Sequence, residues 1–110
     1  MFEVRRYITE QGRIPIAEWL DSFRDRKIRQ RIQNRLLRLE AGNRGDCKSL
    51  GQGLWELRLD FGSGYRIYYG QIESVIILLL CAGDKSSQPR DIELARSYWR
   101  DYESRCTNDE

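Results

Sequence analysis

No histidine occurs anywhere in this chain of 110 residues. Chemistry that relies on an imidazole to carry protons near neutral pH is therefore excluded. Cysteine is scarce: Cys47, Cys81 and Cys106 are odd in number and scattered, with no CxxC pair. Neither a disulfide framework nor a zinc site is indicated, no metal or other cofactor is expected, and Cys81 reads as a packing residue. The longest apolar run, Val75 to Ala82, is far short of the roughly 20 residues that span a membrane. Met1 to Tyr7 lacks the apolar stretch of a secretory signal. A cytoplasmic location with no membrane partner is the expectation. Internal repeats and low-complexity tracts are also missing, so one domain over 1–106 with a frayed tail at 107–110 is expected.

Charge is what the chain has in quantity. The net charge of +2 conceals an asymmetry. Between Arg24 and Lys48 stand nine basic residues and three acids, a segment charge of +6. A basic block in a near-neutral protein points to a polyanionic partner, whether RNA, DNA or an acidic protein segment. A solvated helix face would look the same.

Apolar spacing divides the chain into seven elements. Phe2 to Ile8 reads as a strand with Phe2 and Val4 inward. Pro15 suits the first turn of a helix, whose stripe is Ile16, Trp19, Leu20 and Phe23. Asp25 can cap a second helix with Ile28, Ile32, Leu36 and Leu39 inward and Arg31, Arg35 and Arg38 on another stripe. Gly42 ends it, and Asn43 to Gly53 reads as a basic loop. Two alternating strands follow, one with Trp55, Leu57, Leu59 and Phe61 on one face, the other with Tyr65, Ile67 and Tyr69. Val75 to Cys81 is apolar on both faces and should be the central strand. Pro89 opens a last helix with Ile92, Ala95, Trp99 and Tyr102 inward. The fold class is α+β, in the order β-α-α-β-β-β-α. The expected architecture is a twisted antiparallel sheet with the N-terminal helix pair on one face and the other face partly open.

That second face carries Arg58, Arg66 and Tyr68. Matching apolar to apolar across the hairpin requires an odd loop, for instance Gly62-Ser63-Gly64, which sets Asp60 opposite Arg66 and Arg58 opposite Tyr68. Guanidiniums displayed on a small sheet beside tyrosines are suited to gripping phosphate and stacking on bases. Trp19, Trp55 and Trp99 read as core anchors.

The succession Leu54-Trp55-Glu56-Leu57-Arg58, Gly64-Tyr65-Arg66-Ile67-Tyr68-Tyr69, Leu78-Leu79-Leu80 and Lys85-Ser86-Ser87-Gln88, with Asp91-Ile92 and Ala95, resembles the RelE/ParE toxin superfamily. Within it the chain looks most like the HigB-type, phage-related addiction module killer proteins. The resemblance implies the RelE/ParE fold and a toxin of a type II toxin–antitoxin module. Its partner would be a protein antitoxin, in this branch usually of the helix-turn-helix type. It further implies a ribosome-dependent endoribonuclease that cuts messenger RNA and inhibits translation without a metal. ParE-type relatives instead poison DNA gyrase and cut nothing, and a degenerate relative would only bind its antitoxin. Fold likeness does not choose among these.

Some HigB relatives carry histidines at their site, and this chain has none. The set RelE relatives are thought to use, lysine, arginine and tyrosine, is available. Arg66, in Gly-Tyr-Arg, matches the family's functional strand arginine and would hold the scissile phosphate. Arg58 would be the second phosphate ligand. Lys85 would stabilise developing charge or act as base, and Tyr68 would stack on a base or donate its hydroxyl. Glu56 could serve as a base or pair with Arg58. Ser87 or Gln88 would cap the last helix. Arg24, Lys27, Arg31, Arg35, Arg38, Arg44 and Lys48 would meet ribosomal RNA through salt-sensitive, sequence-independent contacts, or receive an acidic antitoxin segment. Replacing Arg66 by alanine is expected to spare the fold.

Overall fold

A computed structural model describes residues 1–108. Its strands are β1 (Glu3–Arg6), β2 (Cys47–Gly51), β3 (Leu54–Leu59), β4 (Tyr65–Ile72) and β5 (Ile76–Asp84). Its helices are α1 (Pro15–Asp21), α2 (Arg26–Glu40) and α3 (Gln88–Asn108), the last entered through a 3₁₀ turn, Lys85–Ser87. The fold is α+β, with five strands in the spatial order β1-β5-β4-β3-β2. No helix among the described residues is long and apolar enough to cross a membrane.

Local chemistry accounts for the helices. Pro15 occupies the first turn of α1, where its missing N–H is no loss. The Asp25 carboxylate accepts from the Lys27 N–H at 2.9 Å and opens α2. Gly42, at φ +102°, turns the chain left-handed after α2, and the Asn43 N–H closes back on the Arg38 carbonyl at 2.9 Å. Ile16, Leu20, Ile32 and Leu39 bury themselves on one sheet face against Leu57, Ile67, Tyr69 and Ile77.

Four expectations need correction. The sheet is mixed, because β1 runs parallel to β5 while the other neighbours are antiparallel. The supposed loop from Asn43 to Gly53 contains a strand, β2, which forms a hairpin with β3 through Gln52 and Gly53, both at positive φ. Its alternation is broken by a register shift between Ser49 and Gly51, which hides the period of two. The strand from Val75 is interior, yet β4 occupies the centre, and Val75 itself is exposed. Finally, the second sheet face is covered. α3 lies on it with Ala95 and Trp99 buried against Leu54, Tyr68, Leu78 and Leu80. Of the supposed frayed tail, residues up to Asn108 belong to α3, and 109–110 lie outside the described residues.

The hairpin register also differs. β3 stops at Leu59 and pairs it with Tyr65, so Arg58 faces Arg66 and Glu56 faces Tyr68. The loop is two residues longer at the β3 end than Gly62-Ser63-Gly64, which frees Phe61 from the strand. Its ring packs edge-on to Tyr65.

Candidate functional site

The register places two guanidiniums directly opposite each other on adjacent strands, an arrangement that repels unless an anion intervenes. Glu56 is that anion. It lies two residues before Arg58, hence on the same face, and its side chain is fully buried. Its Oε2 accepts from Arg58 Nε at 3.1 Å and stands 3.5 Å from Arg66 Nη1. Its Oε1 accepts from the Gln88 side-chain amide at 2.8 Å. Gln88 is the first residue of α3, so one carboxylate ties two strands and the last helix together.

The arginines therefore converge, with unequal access. The Arg66 side chain is 12 % exposed and that of Arg58 38 %. Arg66 Nε and Nη1 are buried with no hydrogen-bond partner among the described residues. Arg58 uses only Nε, and its two terminal nitrogens have no partner among the described residues. Arg66 is not paired with Asp60 as expected, because the longer loop carries Asp60 past it.

Tyr68 shares the arginine face as expected, but α3 seals it completely. Burial, followed by the charges of Glu56 and Asp91, holds its phenol well above the ordinary range, and its hydroxyl lacks a partner among the described residues. A sealed phenol is no stacking platform. Lys85 is exposed in the 3₁₀ turn and runs alongside Gly64, where an added Cβ would stand 3.7 Å from Lys85 Cβ. Asp84 caps that turn, accepting from the Ser86 N–H at 2.9 Å and the Ser86 hydroxyl at 2.6 Å, and the Ser87 hydroxyl accepts in return from the Asp84 N–H at 3.3 Å. These bonds from Ser86 hold the Asp84 carboxyl below its usual range. The Ser87 hydroxyl donates to Asp91, whose carboxylate sits over Gly83, the residue facing Arg66.

The basic segment splits into two groups. Arg31, Arg35 and Arg38 of α2 line one groove of about 290 Å³ together with Arg58, Phe61 and two aspartates, Asp46 and Asp60. The Arg31 guanidinium lies 4.0 Å above the Phe61 ring. Arg35 is also structural, donating to the carbonyls of Asn43 and Arg44. Arg24, Lys27, Arg44 and Lys48 do not line this groove. Arg44 instead sits between the Phe2 and Trp55 rings, 5.0 Å from each, and donates to the Gln71 side chain at 2.7 Å. Arg24, Lys27 and Lys48 are simply exposed. Sequence reasoning missed Gln88, Asp91 and the role of Phe61. The pairing of Glu56 with Arg58, legible in their i, i+2 spacing, is present.

Comparison with known proteins assigns the chain to a family. Residues 18–100 match the family described as "Phage derived protein Gp49-like (DUF891)". The chain belongs to that family. The matched span of this Gp49-like chain contains Glu56, Arg58, Arg66, Lys85 and Gln88 and leaves out β1. A relative from Haemophilus influenzae, described as "Uncharacterized protein", is 44% identical over 78 residues, covering 71% of this chain and 79% of its own.

Proposed function

We propose that this chain is the toxin of a type II toxin–antitoxin module, of RelE/ParE and HigB-like kind, which cuts messenger RNA on the ribosome. The observation that carries the reading is the register-paired Arg58 and Arg66, with the free fork of Arg58 opening on a groove of arginines. RNA cleavage without a metal proceeds by attack of the ribose 2′-oxygen on phosphorus. A cyclic phosphate forms and the 5′-oxygen leaves with a proton. The negative charge gathering on the phosphorane is what such a site must stabilise.

Each group has a part suited to its access. Arg58 grips a non-bridging oxygen through its terminal nitrogens, and Arg66 adds charge from behind. Lys85, at the rim, protonates the departing 5′-oxygen. Glu56 has both oxygens engaged and serves as a positioning residue, as does Tyr68 beneath the pair. The 2′ proton passes to solvent water, since Glu56 is engaged and Tyr68 is buried, and the ribosome supplies the alignment of the message. The α2 groove holds the flanking phosphates of message or ribosomal RNA, and a cognate antitoxin silences the toxin by covering the same face.

The test is translation in vitro with primer extension. Wild type should create new 5′ ends on translated message. Arg58→Ala should slow their appearance on the order of 100-fold, and Arg58→Lys should recover only part, since it keeps charge without the fork. No new ends, together with gyrase-dependent DNA breaks, would move the chain to the ParE-type reading. No growth arrest on induction would leave only antitoxin binding.

A further inference from the structure

Five large apolar side chains are exposed among the described residues, and four of them gather at one edge of the sheet. Met1 and Ile8 flank β1, and Val75 offers its carbonyl to the Glu3 N–H at 2.8 Å. Leu37 shares a groove of about 400 Å³ with Val4 and Arg6. Only Leu94, on α3, lies elsewhere.

The backbone of the same edge is unfinished. Glu3 and Tyr7 turn their N–H groups inward to Val75 and Leu79. Alternation along a strand therefore points those of Val4 and Arg6 away from the sheet. The opposite edge, β2, is blunted by Lys48 and a register shift, both common guards against pairing. β1 has no bulge and no proline.

We propose that two copies of this chain associate through β1, antiparallel, with Val4 of one facing Val4 of the other. Charge selects this occupant and this register. Glu3 and Arg5 lie on one face of β1 and already attract one another within the chain. Centring the pair on Val4 sets Glu3 of each copy opposite Arg5 of the other, twice over, in the closely spaced positions of an antiparallel ladder. The arrangement is isologous, as a two-fold dimer requires. Val4 exchanges two hydrogen bonds with its counterpart, and the ladder ends there, because the outer side of Phe2, which Arg6 of the second copy would face, is already taken. The Phe2 N–H stays with the Glu40 carbonyl, which it already meets at 2.8 Å. The two sheets then form one continuous ten-stranded sheet, and Val4 and Leu37 of both copies lose their exposure to water.

Sedimentation equilibrium up to about 100 µM, where a micromolar association is essentially complete, should show a dimer. Arg5→Glu sets like charges opposite and should weaken dimerisation at least about tenfold. The exchange Glu3→Arg with Arg5→Glu should restore it. Amide exchange at Val4 should slow as wild-type concentration rises, a readout that needs no variant. A wild-type monomer at that concentration, a dimer indifferent to Arg5→Glu, a folded swap that stays monomeric, or concentration-independent exchange would each overturn the proposal.

Discussion

At the scale of single residues, Glu56 governs the site. It is a fully buried carboxylate facing two cations of unequal exposure, and removing one partner of such a group costs more than the pair contributes. Glu56→Gln leaves Arg58 and Arg66 opposed with no anion between them. We expect urea denaturation to show a loss of about 2–4 kcal/mol. Arg66 follows the same logic. As a solvent-facing strand residue it would be replaceable at little cost. Its near-complete burial beside Glu56 instead makes a lowered thermal midpoint the expected outcome for Arg66→Ala, with the loss smaller than for Glu56→Gln because Arg58 and Gln88 still serve the carboxylate. The alternation of β3 and β4 was enough to place Arg58, Arg66 and Tyr68 on one face. It also set Glu56 beside Arg58, a pair the structure contains, but not Arg66 beside Glu56, because that meeting depends on where the hairpin turns.

Among elements, α3 decides how much of that face is available. Its docking depends on Gly70, where an added Cβ would stand 2.2 Å from Trp99, a ring atom that cannot swing aside as a flexible chain end would. Trp99 is also anchored by its indole N–H, which donates to the Gln52 carbonyl at 2.9 Å. Gly70→Ala should therefore displace α3 and destabilise by about 1–3 kcal/mol, read by thermal denaturation with tryptophan fluorescence reporting the movement. The inward stripe of Ile92, Ala95, Trp99 and Tyr102 was legible from spacing of three and four residues. Which sheet face received it was not, since an apolar stripe carries no address. The glycines flanking Gln52 suit a hairpin turn, yet the sequence reads Asn43 to Gly53 as a loop, because β2 is short, polar and irregular and its period is hidden.

For the molecule as a whole, the sheet with helices on both faces buries groups whose neutral forms it favours. Burial, with Asp91 adding to it, pushes the Cys81 thiol up to about 12, and burial likewise raises Tyr68 and Tyr69 above the ordinary phenol range. A raised value in the folded state means full stabilisation below the unfolded value, lost as pH climbs toward the folded one. The unfolding free energy from urea titrations should hold to about pH 8 and then fall, by more than about 1 kcal/mol by pH 11. Cys81→Ala should make that fall shallower, and an unchanged slope would remove the thiol from the effect. Composition and spacing alone determined a great deal here: an α+β fold, a chain without imidazoles, a capped basic helix, and arginines sharing one strand face. Those follow from local rules of period, capping and charge that neighbours in sequence can satisfy. The tertiary structure alone decided the parallel pairing of β1 with β5, the sealing of Tyr68, and the meeting of Arg58, Arg66 and Gln88 on Glu56. Each of these joins residues distant in the chain or turns on loop length, and such meetings are settled by how whole faces pack.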